Sequence, residues 1–133
     1  MKPIAASGIS ITKKVKGKLP RLPFVAMKNF ILGKKYELSV AFVEKAESKR
    51  LNRTYRRKNK PANVLSFPIS KNEGEILICL SEARKDAKKF GQTYENFIPT
   101  LLIHGMLHLK GFAHGSKMER KEAAAGKKFG LSA

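Results

Sequence analysis

The sequence predicts one mixed domain, α+β or mixed-sheet α/β, with about four short strands among five helical segments. Three observations predict it. Runs of β-forming residues at 37–43 and 75–80 are interleaved with helical-period segments rather than grouped. Residues 97–109 are apolar almost all round, too long for a strand and suited to a buried helix. The 133 residues, 42% of them hydrophobic, can bury one core, so residues 1–133 are expected to form a single domain.

The elements follow in chain order. Ile9 and Ile11 alternate with Ser10 and Thr12, as in a short edge strand. Pro20 and Pro23 precede a helix over about 22–33, ending at Gly33. Leu38, Val40, Phe42 and Val43 mark a strand over 37–43, and Ala46, Leu51 and Tyr55 are spaced for one face of a helix over 44–57. A loop containing Asn59 and Pro61 follows. Val64 to Phe67 is a strand stopped by Pro68, and 69–74 is a turn around Asn72 and Gly74. Residues 75–80 are a nearly continuous apolar, central strand. Ser81 is the expected N-cap of a helix over 82–90, broken at Gly91. Thr93 caps the buried helix over 94–110, with Pro99 in its early turns and Gly111 ending it. An amphipathic helix over 117–128 closes the series.

Charge is unevenly spread. Lys and Arg number 28 against 10 acids, a formal charge of +18. Residues 1–60 carry 17 basic and 3 acidic residues, a net +14, and the remainder only +4. Such a half favours a polyanion, because cations that meet phosphates release condensed counterions. Nucleic acid is the first candidate and an anionic membrane surface the second. Cys79, the single cysteine, lies in an apolar run, so it makes no internal disulfide and is expected to be a buried strand residue in a reducing compartment. Lysines 13, 14, 16 and 18 arrive too early for a signal-peptide core, and no apolar run approaches about 20 residues. A cytoplasmic location is expected. The basic, acid-free first 20 residues leave an organelle address open.

All three histidines fall within eleven residues, 104–114. His104 and His108, four apart on a helix, present their rings on one face about a turn apart. Gly111 lets the chain reverse so that His114 arrives from a loop. Three imidazoles suit Zn²⁺, and also Ni²⁺, Co²⁺ or Cu²⁺. Three protein ligands leave a fourth position for water, whose pKa such an ion lowers to roughly 7, as metal-assisted hydrolysis needs. The metal site is thus expected at the end of the buried helix. The spacing His-x-x-x-His-x-x-Gly-x-x-His is the ligand frame of metzincin proteases. Those enzymes place Glu directly after the first His as general base. Here that residue is Gly105, which argues against peptide hydrolysis.

The motif His104-Gly105-Met106-Leu107-His108-Leu109-Lys110-Gly111-Phe112-Ala113-His114 resembles that of the YbeY-type ribosomal RNA maturation endoribonucleases. The stretch from Leu51-Asn52-Arg53-Thr54-Tyr55-Arg56 through Asn63-Val64-Leu65-Ser66-Phe67-Pro68 is similar to a second motif of that family. Gly74-Glu75-Ile76-Leu77-Ile78 is a third, weaker match. The resemblance covers roughly residues 50–119. It implies a small mixed sheet flanked by helices, with one zinc on His104, His108 and His114. It also implies single-strand-selective cleavage of RNA in ribosomal RNA maturation and ribosome quality control. Ribosomal RNA and ribosomal particles would be the partners, with ribosomal proteins or GTPases beside them, and no membrane. The family's arginine falls on Arg56, as a catalytic phosphate-binding group. Two positions depart from the pattern: Ala113 stands where the family usually has Asp, and so does Glu75.

On that reading Arg53, Arg57, Lys58 and Lys60 hold the flanking RNA backbone. Ser66 is given no catalytic role, Met118 is read as a core residue, and Glu119 is a candidate partner for a histidine. The nucleophile is either water or the RNA 2′-OH. The rival reading is a non-catalytic ribosome-assembly factor with a structural metal and a basic RNA-docking surface. A third, hydrolysis of a small phosphorylated compound, leaves the basic half unused.

Overall fold

The structure, a computed structural model, describes residues 8–131. The remaining positions, including the first part of the basic stretch read for a signal peptide, lie outside the described residues. Four strands, β1 (Ile9–Lys13), β2 (Glu37–Val43), β3 (Val64–Ser70) and β4 (Glu73–Cys79), form one mixed sheet in the order β1-β2-β4-β3. β1 and β4 run parallel to β2, and β3 pairs antiparallel with β4. The helices are α1 (Phe24–Ile31), α2 (Lys45–Arg56), α3 (Leu80–Lys89), α4 (Tyr94–Lys110) and α5 (Ser116–Lys128). The predicted class, one domain of mixed α and β structure around a four-stranded sheet, is the observed one.

Strand alternation divides the core in two. Leu38, Val40 and Phe42 of β2 and Ile76 and Ile78 of β4 join the large cluster, with Met27 of α1, Ala83 of α3, Leu102 of α4 and Met118 of α5. Ala41, Val43, Leu65 and Leu77 point the other way and meet Leu51 of α2. A strand buried on both faces needs apolar residues at every position, which is why β4 reads as a continuous apolar run. α4 is buried from Phe97 through Leu107 apart from Thr100 and His104. Its N-terminus is capped as expected, the Thr93 hydroxyl accepting a hydrogen bond from the Asn96 amide at 3.2 Å.

Several expectations are corrected. β3 continues through Pro68 to Ser70, because it is an edge strand and a prolyl nitrogen is tolerated there, with an irregular register between Pro68 and Ser70. The turn shrinks to Lys71 and Asn72, and Gly74 lies within β4. A side chain at Gly74 would collide with the Tyr36 hydroxyl and with Leu109. Close approach, not turn geometry, is the reason for this glycine. Ser81 does not cap α3. The helix starts at Leu80 directly from the strand, with Cys79 in the cap position. Cys79 is buried, as predicted. Pro99 is the sixth residue of α4, beyond the free first turn, so the Glu95 carbonyl loses its usual i+4 donor.

Buried polar groups tie loops to the frame. Lys28, fully buried on α1, donates from Nζ to the carbonyls of Gly33, Lys34 and Tyr36 at 3.3, 3.1 and 3.0 Å. Burial lowers its pKa from 10.5. On α2, the Asn52 amide donates to the Lys60 carbonyl at 2.8 Å. The Ser48 hydroxyl donates to the Ala62 carbonyl at 2.6 Å and accepts from the Ala62 amide at 2.9 Å. These bonds hold the 58–63 loop against α2 and so fix where that helix ends.

Candidate metal centre

His104 and His108 stand one turn apart on α4, with ring centroids 4.5 Å apart. The helix ends at Gly111, whose φ of 107° is a left-handed conformation that favours glycine. The reversal returns the chain so that the His114 ring lies 5.1 Å from His104 and 4.7 Å from His108. One ligand nitrogen from each of the three residues lies within 4.8 Å of the other two. His104 and His108 are half-buried and His114 is exposed, so the cluster opens to solvent on one side.

Neighbouring groups fix the rings. His108 Nδ1 lies 3.0 Å from the Phe112 carbonyl oxygen. A carbonyl only accepts, so Nδ1 carries the proton and Nε2 keeps its lone pair. His104 Nδ1 lies 3.5 Å from Glu122 Oε1 on α5, which favours the same tautomer. The two Nε2 atoms then face each other at 3.0 Å. Two lone pairs at that distance repel unless a cation or a shared proton lies between them. Two imidazoles on one tetrahedral ion, with bonds of about 2.0–2.1 Å, hold their nitrogens about 3.3 Å apart. Donor chemistry and spacing therefore fit a divalent transition metal. Burial lowers the His104 pKa from its ordinary 6.5, aided by His108 and His114 and opposed by Glu122. This keeps the ring neutral, as ligation requires.

The histidines form part of a cleft of about 860 Å³ between α4 and the β3 edge. Arg56, the last residue of α2, lies in its wall. Arg53, Arg57, Lys58 and Lys60 are exposed but do not line it. Ser66 does line it, and its hydroxyl donates to the Gly105 carbonyl at 3.0 Å, a structural bond between β3 and α4. Met118 is a core residue, as read. Glu119 is exposed, and the carboxylate beside His104 is Glu122 instead. Three residues further on is nearly one more helical turn, a placement that depends on how α5 packs on α4. Sequence reasoning also missed Phe90 and Asn63, both in the cleft wall. Of the two departures, Ala113 is exposed beside His114, while Glu75 lines a groove on the α2 side and not the histidine cleft.

Fold and site together define a mixed α/β protein with an open three-histidine cleft fit for a metal ion. A family model described as Endoribonuclease YbeY matches residues 8–131, and the chain belongs to the YbeY family. Proteins named Endoribonuclease YbeY from Staphylococcus aureus strains JH9 and Newman are 37% identical to it over 100 residues. That region covers 65% of this chain and 64% of theirs. Among solved structures, the solution structure of TM1509 from Thermotoga maritima is similar, with a TM-score of 0.61 and 26% identity. The match covers 91% of this chain and 88% of that one. Among the described residues, no helix is long and apolar enough to cross a membrane.

Proposed function

We propose that the protein is a zinc-dependent, single-strand-selective endoribonuclease of ribosomal RNA maturation and ribosome quality control, acting in the cytoplasm as one domain spanning residues 1–133. The observation that carries this reading is the convergence of three histidine nitrogens in a cleft whose wall also bears Arg56. The names of the relatives support RNA as the substrate. His104, His108 and His114 would hold the zinc ion, and other divalent transition metals suit the same donors. When bound, such an ion supplies Lewis acidity toward a phosphate oxygen and toward water.

The chain's own residues supply the rest. Glu122 and the Phe112 carbonyl hold the rings in the ligating tautomer. The Arg56 guanidinium binds the scissile phosphate and stabilises charge that develops on it. Arg53, Arg57, Lys58 and Lys60 bind the flanking backbone outside the cleft. Gly105 offers no general base, so the attacking oxygen is a water or the RNA 2′-OH. A 2′,3′-cyclic phosphate product would exclude water as the first nucleophile. Ribosomal particles, with ribosomal proteins or GTPases, are the proposed partners.

The test is cleavage of a single-stranded ribosomal RNA fragment by purified protein, beside His114→Ala and Arg56→Ala variants checked for folding and metal content. Loss of cleavage in both variants, and on chelation, is expected. Arg56→Ala should retain its metal. Equal residual cleavage in all samples would point to a contaminant and favour the RNA-docking assembly factor.

A further inference from the structure

Two large aromatic rings are exposed in the histidine cleft, Tyr55 at 65% and Phe90 at 63%. Leaving rings this exposed forgoes part of the about 1.5–3 kcal/mol that full burial would give, so two in one cleft call for a reason. Each touches a second ring that lines the same cleft. Tyr55 meets Phe67 edge-on, with centroids 5.2 Å apart and planes at 64°. Phe90 stacks on the buried Phe97 at 6.2 Å and 26°. A cation is near each, in sequence for Tyr55 and in space for Phe90. Arg56 follows Tyr55 in the chain, and Lys89 Nζ lies 5.8 Å from the Phe90 ring centre. Tyr55 belongs to α2 and β3 supplies the ring it touches, whereas Phe90 directly follows α3 as its C-cap. The rings thus come from separate parts of the chain and share one cleft with the histidines.

We infer that Tyr55 and Phe90 are stacking platforms for unpaired bases of an RNA strand whose phosphate lies at the histidine cluster. The inference rests on the nuclease reading and gives it a source of strand selectivity. Stacking on a protein ring requires a base with a free face, which a duplex does not offer. Cations beside exposed rings suit a polyanionic strand better than an apolar protein partner. Both are positioning residues, and neither takes part in bond breaking.

Binding of a fluorescein-labelled single-stranded 2′-O-methyl oligoadenylate, its integrity checked on a gel, tests this without relying on turnover. Tyr55→Ala and Phe90→Ala should each weaken binding by roughly 5- to 100-fold. Tyr55→Phe should bind within about twofold of wild type, and Tyr55→Leu should not, because stacking and not bulk is at issue. A 2-aminopurine in the strand should be quenched on binding by wild type and by Tyr55→Phe but not by Tyr55→Ala. Binding to a duplex of the same length should be unmoved by any of these changes. Unchanged single-strand affinity in both alanine variants, with normal melting temperatures, overturns the inference. Cleavage separates the two readings. A wild-type protein that cleaves nothing yet shows these binding losses keeps the stacking role and loses the nuclease. One that cleaves RNA while its alanine variants bind normally does the reverse.

Discussion

Gly105 shows how one missing side chain decides between chemistries. Its position in the motif is where a zinc protease carries its general base, and the structure explains why none fits. A Cβ there would lie 3.0 Å from Ser66 Oγ and 3.1 Å from Ile76 Cδ1, in the seam between α4 and the sheet. Gly105→Glu should therefore lower stability by more than about 3 kcal/mol in urea unfolding, through overpacking and an unpaired buried carboxylate, without creating peptidase activity. His104 gives a pH signature in the metal-free protein. Its folded pKa lies below 6.5, so as pH falls the unfolded chain takes up the proton first. Stability is present above that value and lost as pH drops through it. Thermal melts of chelated protein should show this acid-side loss, and His104→Gln should show a shallower one. An equal slope in both would mean that His104 is not the titrating group.

At the scale of elements, the end of α2 matters most, because it presents Tyr55 and Arg56 to the cleft. The helix stops at Arg57, a non-glycine residue with φ of 57°, whose amide bonds the Arg53 carbonyl at 3.1 Å. The bonds from Ser48 and Asn52 to the 58–63 loop hold this ending. Asn52→Ala should cost about 1–2 kcal/mol, leaving the Lys60 carbonyl without its donor. Hydrogen exchange should quicken in residues 58–63 while metal content stays at the wild-type level. Lost metal in this variant would show that the two sides of the cleft are coupled. The buried Ser48 and Asn52 were not legible beforehand, since a polar helix face shows nothing of what a later loop will lay over it. The buried character of α4, by contrast, was plain from its lack of any polar stripe.

For the whole molecule, the basic residues 53, 57, 58 and 60 gather at the end of α2, close in sequence to Arg56 but outside the cleft. If all five cations meet phosphates, log affinity for a single strand should fall with log salt at a slope of about −3.5. Replacing Arg57 and Lys58 together by Gln should reduce that slope by about 1.4, leaving cleft chemistry intact. A slope unchanged by the double variant would place the strand elsewhere on the basic surface.

The sequence by itself determined the metal frame, because a four-residue step on a helix and a glycine-permitted reversal are local geometry. It determined α4, β2 and the four-strand mixed class for a similar reason: apolar periodicity reports directly which faces must leave water. Only the tertiary structure decided that Glu122 and not Glu119 sits beside His104, that Gly74 is a strand residue pressed by Tyr36 and Leu109, and that β3 runs through Pro68 as a sheet edge. That Tyr55 and Phe90 join the histidines in one cleft, beside the Arg56 expected there from the family motif, was likewise a tertiary decision. Those outcomes depend on which element packs against which, and the spacing of residues along one chain carries no record of a contact across dozens of positions.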